Sequence, residues 1–262
     1  MSLLRAALRI FGVYKLYEKW LHESIKNGEI PSHVAIILDG NRRWALEKGY
    51  NAWIGHRFGA EKVDELLDWC LELGIKIITL YVFSTENFKR PRREVKELFQ
   101  LLKEKGLQYL RDERIHKHHV RIKVIGRKDL IPQDVREVLE KIEEATQNYS
   151  NFFVNIAIAY GGRAEIVDAT RSIVSKVLRG ELNIEDIDEK IIEKHLYTAD
   201  LPKNDPDLII RTSGEERISN FLLWQCAYSE LVFLDVYWPE FRKIDLMRAI
   251  RIYQKRQRRL GA

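Results

Sequence analysis

A chain of 262 residues is long enough for one large sheet-centred α/β unit. Hydrophobic residues make up 45% and aromatics 10%, which supports a sizeable core and excludes wholesale disorder. The 44 Lys and Arg against 39 Asp and Glu leave a formal charge of +5, which favours anionic partners without naming one.

The first predicted element stands apart. Leu4, Ala7, Leu8, Phe11, Tyr14, Leu21 and Ile25 recur near helical spacing, with Arg5, Arg9, Lys15 and Lys19 off the stripe. The pattern suits an amphipathic helix packed on the domain or on a partner. It also suits a helix lying on an anionic membrane surface, and packing is the more economical reading. After Pro31, short apolar runs read as strands at 34–38, 75–83, 120–125, 152–159, 207–211 and 231–236. Helix-period stretches lie at about 56–73, 92–114, 132–147, 163–178 and 243–259, with Pro91 and Pro132 placed at first helical turns. Continuous Val/Ile/Leu runs alternating with helices predict a doubly wound α/β domain. Its central sheet is mostly parallel, of about six strands, and flanked by helices.

Ligands of open parallel sheets bind beyond the carboxyl ends of the strands. The first predicted strand ends in Asp39-Gly40-Asn41-Arg42-Arg43-Trp44, and the second in Ser84-Thr85-Glu86-Asn87-Phe88-Lys89-Arg90. The fourth ends in Gly161-Gly162-Arg163, and the fifth in Arg211-Thr212-Ser213-Gly214-Glu215-Glu216-Arg217. One acid, several small or hydroxyl residues and many guanidinium groups thus converge on one edge. Arg forks match phosphate, and backbone N–H groups at a Gly-rich turn opening a helix add donors. Taken singly, Asp39-Gly40 is equally a turn, Gly161-Gly162 a plain loop, and Arg211 and Arg217 surface charges. Their coincidence at four strand ends predicts a phosphate site, with Mg²⁺ on Asp39.

Other chemistries are excluded or weakened. There is no G-x-G-x-x-G after the first strand, no P-loop and no G-x-S-x-G elbow. His116-Lys117-His118-His119 carries a Lys and precedes a strand, so it reads as a solvated helix end more readily than as a metal site. His56 opens a helix and is either a helix-terminal structural residue or an anion donor and proton carrier. The basic run Arg248, Arg251, Lys255, Arg256, Arg258 and Arg259 lacks aromatic interleaving, and no nucleic-acid partner is expected. Two cysteines, Cys70 and Cys226, are too few for a disulfide framework. With no run of about 18 apolar residues and no signal-peptide pattern, a soluble cytoplasmic protein is expected.

These residues resemble the cis-prenyltransferases, the undecaprenyl or polyprenyl diphosphate synthases. The resemblance rests on HVAIILDGNRRWA at 33–45, Gly55-His56, YVFSTENFKRP at 81–91, NIAIAYGGR at 155–163, and Asp207 through Ser219 and Asn220 to Pro239. It runs from about residue 30 to the end, in order and in spacing. The chain thereby divides into an N-terminal helix over 1–29 and a catalytic domain over 30–262. Arg42, where bacterial members often carry Gly, and the N-terminal helix look more like archaeal and eukaryotic members.

The resemblance implies condensation of isopentenyl diphosphate onto an allylic diphosphate, farnesyl or geranylgeranyl. Each new double bond is cis, and the product is a long polyprenyl diphosphate that serves as precursor of a glycosyl carrier lipid. It assigns Mg²⁺ to Asp39 and Glu230, and the allylic diphosphate to Gly40, Asn41, Arg42 and Arg43, with Trp44, His56 and Phe88 nearby. Ser84, Thr85, Glu86 and Asn87 line the reacting centre; Asn87, a poor base, acts by positioning or through pyrophosphate. Arg90, Arg211, Arg217, Ile218 and Ser219 take isopentenyl diphosphate. It also implies a homodimer, with Arg259-Leu260-Gly261 reaching the partner's site, and an apolar tunnel with Phe152 and Phe153 as linings. Peripheral membrane contact through the N-terminal helix goes with the same likeness. Ala52 departs from the pattern, since many members have Arg there against the allylic diphosphate. A non-catalytic subunit of this family lacks the Asp39-type carboxylate, which this chain keeps.

Overall fold

The computed structural model describes residues 13–256. Its strands are β1 (His33–Ile37), β2 (Ile77–Ser84), β3 (Val120–Ile125), β4 (Phe152–Tyr160), β5 (Leu208–Arg211) and β6 (Glu230–Phe233). They form one six-stranded sheet in the order β3-β4-β2-β1-β5-β6, and every neighbouring pair is parallel. β1 is buried along its whole length, as a central strand covered on both faces must be. Its side chains alternate. Val34 and Ile36 pack with Leu21, Leu66, Cys70 and Ile250 in one cluster. Ala35 and Ile37 pack with Tyr81, Phe221 and Leu222 in another.

The helices are α1 (Val13–Ile25), α2 (Asn41–Glu47), α3 (Ile54–Leu73), α4 (Arg92–Tyr109), α5 (Glu113–Lys117), α6 (Gln133–Thr146), α7 (Gly162–Leu178), α8 (Glu189–Glu193) and α9 (Lys243–Lys255). The helix expected over 92–114 is in fact two. The carboxylate of Asp112 accepts from the Arg114 N–H at 2.9 Å and caps a new helix there. α2 forms where the sequence suggested only a strand-end loop. Gly40 permits it: its φ is +99°, and a Cβ there would lie 2.6 Å from the Tyr237 ring. α2 and α3 then pack so closely that a Cβ on Gly55 would come within 2.0 Å of the Asn41 carbonyl oxygen.

Of the N-terminal apolar stripe, Leu4, Ala7, Leu8 and Phe11 lie outside the described residues. The rest of it packs on α9, burying Leu21 and Ile25. Arg242, Arg248 and Arg251 of this C-terminal region stack over Tyr14, Tyr17 and Trp20 at 5.5, 5.1 and 4.6 Å. Trp20 nonetheless stays 49% exposed, beside the exposed Val13 and Leu16. Among the described residues no helix is long and apolar enough to cross a membrane. Arg258, Arg259, Leu260 and Gly261 lie outside the described residues.

A polar thread crosses the central strands at the end away from their carboxyl termini. His33 Nε2 lies 2.8 Å from Thr79 Oγ1, and Asn155 Nδ2 donates to the same hydroxyl at 3.1 Å. His33 is wholly buried, and burial pushes its imidazole from 6.5 down to about 4. The unfolded chain therefore binds a proton that the folded chain refuses. Stability is full above pH 6.5 and falls toward pH 4, with this group contributing about 3 kcal/mol of the loss. NMR titration of the His33 ring checks this: a midpoint near 6.5 in the folded protein would sink it.

Candidate active site

The carboxyl ends of β1, β2 and β5 lie side by side, and a cavity of about 740 Å³ opens there. Its mouth carries Asp39, Gly40, Asn41, Arg42, Arg43, His56, Ser84, Glu86, Asn87, Arg90, Arg211 and Ser219. Its interior is apolar, running under Val63 of α3 and Leu98, Leu101 and Leu102 of α4 to Leu139 and Ile142 of α6, with Leu80 and Ile156 of the sheet as floor. A charged rim and a greasy interior in one cavity suit a ligand with an anionic head and a hydrocarbon body.

Asp39 follows β1 by one turn of chain. Its Oδ1 accepts from the Gly40 N–H at 2.7 Å, and its Oδ2 accepts from Arg211 Nη2 at 2.7 Å. Burial opposes its ionisation, but Arg211 outweighs it and holds the carboxyl below the usual carboxylate range. Arg211 is buried at the last position of β5. It also donates to Ser219 Oγ at 2.7 Å and to the Arg217 carbonyl, which folds the 212–219 loop over the mouth. Arg43 donates to Ser213 Oγ at 2.6 Å and pairs with Glu215 at 3.2 Å.

A second hub is a carboxylate that sequence reasoning missed. Glu94, on the first turn of α4, is 6% exposed and faces His56 at 3.4 Å, Arg42 at 3.3 Å and Arg90 at 3.4 Å. Its hydrogen bond from His56 and the two guanidinium groups keep it ionised against burial. Burial in turn holds His56 below its ordinary value, with Arg90 and Arg42 acting the same way, so at neutral pH it is a neutral ring donating to Glu94. The i,i+4 spacing from Arg90 was the sequence signal for this residue. Its burial depends on α2, α3 and α4 meeting, which spacing does not reveal.

Asn87 lies in a tight 3₁₀ turn over Thr85–Lys89, where its Oδ1 accepts from the Ser84 N–H at 3.1 Å. Glu86 accepts from Asn220 Nδ2 at 2.9 Å, and Asn220 also takes the Gly162 and Arg163 N–H groups at 2.7 and 2.9 Å. This corrects the reading of Gly161-Gly162-Arg163 as a source of free anion donors. The turn instead ties the 219–223 segment to the β2 loop.

Several expected residues lie outside the cavity lining. Trp44 packs on Phe58 at 4.8 Å and donates to Glu240 at 3.2 Å. Phe88 packs edge-on against Phe83, and Thr85 hydrogen-bonds Glu86. Arg217 is 63% exposed and pairs with Glu215, and Ile218 lies beside it in the same loop. Glu230 also lies outside the cavity lining within this chain. It starts β6 in register with Leu208, whereas Arg211 at the site aligns with Phe233, and it pairs with Arg256 at 2.9 Å. Within this chain the sheet itself separates it from Asp39. The His116–His119 tract does not converge either: His116 bonds Tyr149 and the Leu110 carbonyl.

Among the described residues no group of three His, Cys, Asp or Glu could cage a metal. The donor set still fits Mg²⁺ in one way. Asp39 is an ionised, 30% exposed carboxylate at a cation-rich mouth, and Mg²⁺ characteristically takes one or two carboxylates together with phosphate oxygens and water.

The fold class is one of α/β domains with an anion-binding mouth at the strand ends, and comparison with known proteins specifies it. Residues 37–261 match the prenyltransferase family model described as putative undecaprenyl diphosphate synthase. The chain belongs to this family. It is 56% identical over 248 residues to the tritrans,polycis-undecaprenyl-diphosphate synthase (geranylgeranyl-diphosphate specific) of Pyrococcus abyssi, covering 95% of this chain and 93% of the relative. The protein of that description from Methanocaldococcus jannaschii is 57% identical over 250 residues, covering 95% and 89%. Among solved structures, lavandulyl diphosphate synthase from Lavandula x intermedia, in complex with dimethylallyl diphosphate, superposes with a TM-score of 0.86. Its identity is 35%, covering 89% of this chain and 99% of that one. A probable undecaprenyl diphosphate synthase from Campylobacter jejuni gives 0.72 at 33% identity, with the same coverage.

Proposed function

We propose that the protein is a cis-prenyltransferase that adds isopentenyl diphosphate to an allylic diphosphate and builds a long polyprenyl diphosphate. The observation that carries this is one cavity that joins a guanidinium-rich mouth to an apolar interior. Geranylgeranyl diphosphate is the primer we favour, because the archaeal relatives are named as specific for it.

In this reading Arg42, Arg43, Gly40 and Asn41 hold the allylic diphosphate beside Asp39, and the prenyl chain enters the cavity. Arg90, Arg211, Ser219 and the exposed side chain of Arg217 hold isopentenyl diphosphate. Ser84, Glu86 and Asn87 border the reacting carbons. Mg²⁺ on Asp39 would neutralise charge on the departing pyrophosphate. The arginines supply preorganised positive charge where that negative charge develops. His56 stays neutral until a diphosphate approaches, then serves as a donor set by Glu94. The Asn87 amide oxygen already accepts from Ser84, which supports a positioning role over that of a base.

The test incubates protein with labelled isopentenyl diphosphate, Mg²⁺, and farnesyl or geranylgeranyl diphosphate, with EDTA as control. A Mg²⁺-dependent ladder of long products, stronger with geranylgeranyl diphosphate, is expected. No incorporation with either primer from a folded sample overturns the reading. Sedimentation of the same preparation tests the homodimer.

A further inference from the structure

We propose that Asn220 is a positioning residue for the reaction: its side chain holds the loop that takes isopentenyl diphosphate against the turn that carries Asn87. The proposal deepens the functional reading above and rests on it.

Two segments meet at the mouth without sharing a strand. One is the 212–219 loop after β5, which brings Ser219 there; the other is the 3₁₀ turn over Thr85–Lys89 after β2, which brings Glu86 and Asn87. β1 separates β5 from β2 in the sheet, so the backbone ladder does not fix one segment against the other. Asn220 bridges them with both ends of its amide. Nδ2 donates to Glu86 Oε1 at 2.9 Å, and Oδ1 accepts from the Arg163 N–H at 2.9 Å. Its carbonyl accepts from the Gly162 N–H at 2.7 Å, so the amino end of α7 anchors the residue twice. Gly161 makes the room. A Cβ there would lie 2.7 Å from Asn220 Nδ2 and 2.8 Å from Thr85 Oγ1.

The backbone points the same way. Ser219, Asn220 and Leu222 have φ of +49°, +65° and +43°, a left-handed region that side chains adopt only where the surroundings impose it. Strain of this kind gathers at functional sites. Phe221 is wholly buried and stacks on Tyr81 at 4.5 Å, and the Tyr81 hydroxyl is shared between the Ser219 and Tyr160 carbonyls at 3.3 and 3.4 Å. Ser219 is thus held at its carbonyl by Tyr81 and at its hydroxyl by Arg211.

Core packing accounts for Phe221 and Leu222, both fully buried, but not for the Asn220 amide, which reaches outward to a carboxylate. Burial opposes ionisation of Glu86, but the hydrogen bonds it accepts, that from Asn220 among them, hold its carboxyl below the ordinary range. Asparagine meets both demands of the position. It tolerates the left-handed backbone, and its amide offers a donor and an acceptor at once. Glycine would meet only the first. Aspartate would keep the acceptor for Arg163 and repel Glu86.

The experiment measures initial rates with full-length protein, Mg²⁺, geranylgeranyl diphosphate and labelled isopentenyl diphosphate, varying each diphosphate in turn, with a thermal melt of every variant. Asn220→Gly relieves the backbone and keeps the carbonyl that accepts from Gly162, but removes the amide. It should lower kcat/KM for isopentenyl diphosphate about tenfold, as loss of a hydrogen bond to a charged group implies, and leave KM for the allylic diphosphate unchanged. Asn220→Asp should be the worse variant. Its cost should shrink in a Glu86→Gln background, where an amide donor faces the new carboxylate. Normal kcat/KM in Asn220→Gly overturns the proposal. So does an equal rise in both KM values with a lowered melting temperature, which marks a merely structural role. Strictly additive costs of Asn220→Asp and Glu86→Gln overturn it as well. An unsubstituted protein that incorporates no label overturns the underlying reading instead.

Discussion

Asp39→Asn is expected to lower turnover by on the order of 1000-fold while the protein stays folded. An acid that helps a divalent cation offset charge on a leaving pyrophosphate supplies several kcal/mol, at 1.36 kcal/mol per tenfold in rate. The amide keeps the size of the side chain and an acceptor for the Arg211 guanidinium, but loses the charge. Alanine is the harsher change. Arg211 is buried, and Asp39 Oδ2 at 2.7 Å is its anionic partner, so Asp39→Ala should also destabilise by about 1–3 kcal/mol. The Asp39 carboxylate is partly solvated, which keeps that cost below the loss of a fully buried pair. Steady-state kinetics with a urea unfolding curve for each variant separates the two effects. An Asp39→Asn enzyme with near-normal turnover would falsify the metal role.

Glu94→Gln should reduce kcat/KM for the allylic diphosphate about 100-fold, the order expected when a binding group is misplaced by an ångström. Two effects compete in this variant. Removing the carboxylate frees Arg42 and Arg90 for phosphate, which favours tighter binding. It also takes away the one anion that holds His56, Arg42 and Arg90 at 3.3 to 3.4 Å and screens the two guanidinium groups from each other. Arg42 is about half exposed, and an untethered exposed arginine samples many rotamers, so the loss of positioning dominates. Kinetics at varied allylic diphosphate decides the matter. A lower KM with unchanged kcat would mean that Glu94 only competes with phosphate.

Much of the scaffold was legible because a parallel sheet buried on both faces writes itself as apolar runs. Five of the six observed strands begin and end within two residues of those runs, and β6 ends three residues short of its run. Asp39 and Arg211 were legible for the same reason, since each ends a central strand and the carboxyl edge is where such folds gather ligands. Glu94 was not, because it owes its place to helices that meet only in three dimensions. The break in the 92–114 helix hinged on one capping acid, Asp112, inside an otherwise continuous helical pattern. Glu230 is the opposite case: a motif alone assigns it to the metal, and within this chain its register places it at the start of β6, apart from the cavity lining.

The thread of His33, Thr79 and Asn155 has a consequence for how the sheet assembles. Thr79 stands opposite Asn155 on β4 and diagonal to His33 on β1, so both hydrogen bonds to its hydroxyl close only when three strands pair correctly at once. A slip by one residue would turn every side chain of a strand to the other face and leave these groups unpartnered in an apolar layer. Misaligned pairings are thereby penalised beyond the loss of packing. Hydrogen-exchange protection of the Asn155 side-chain amide during refolding therefore marks the moment at which the strands have found their native alignment.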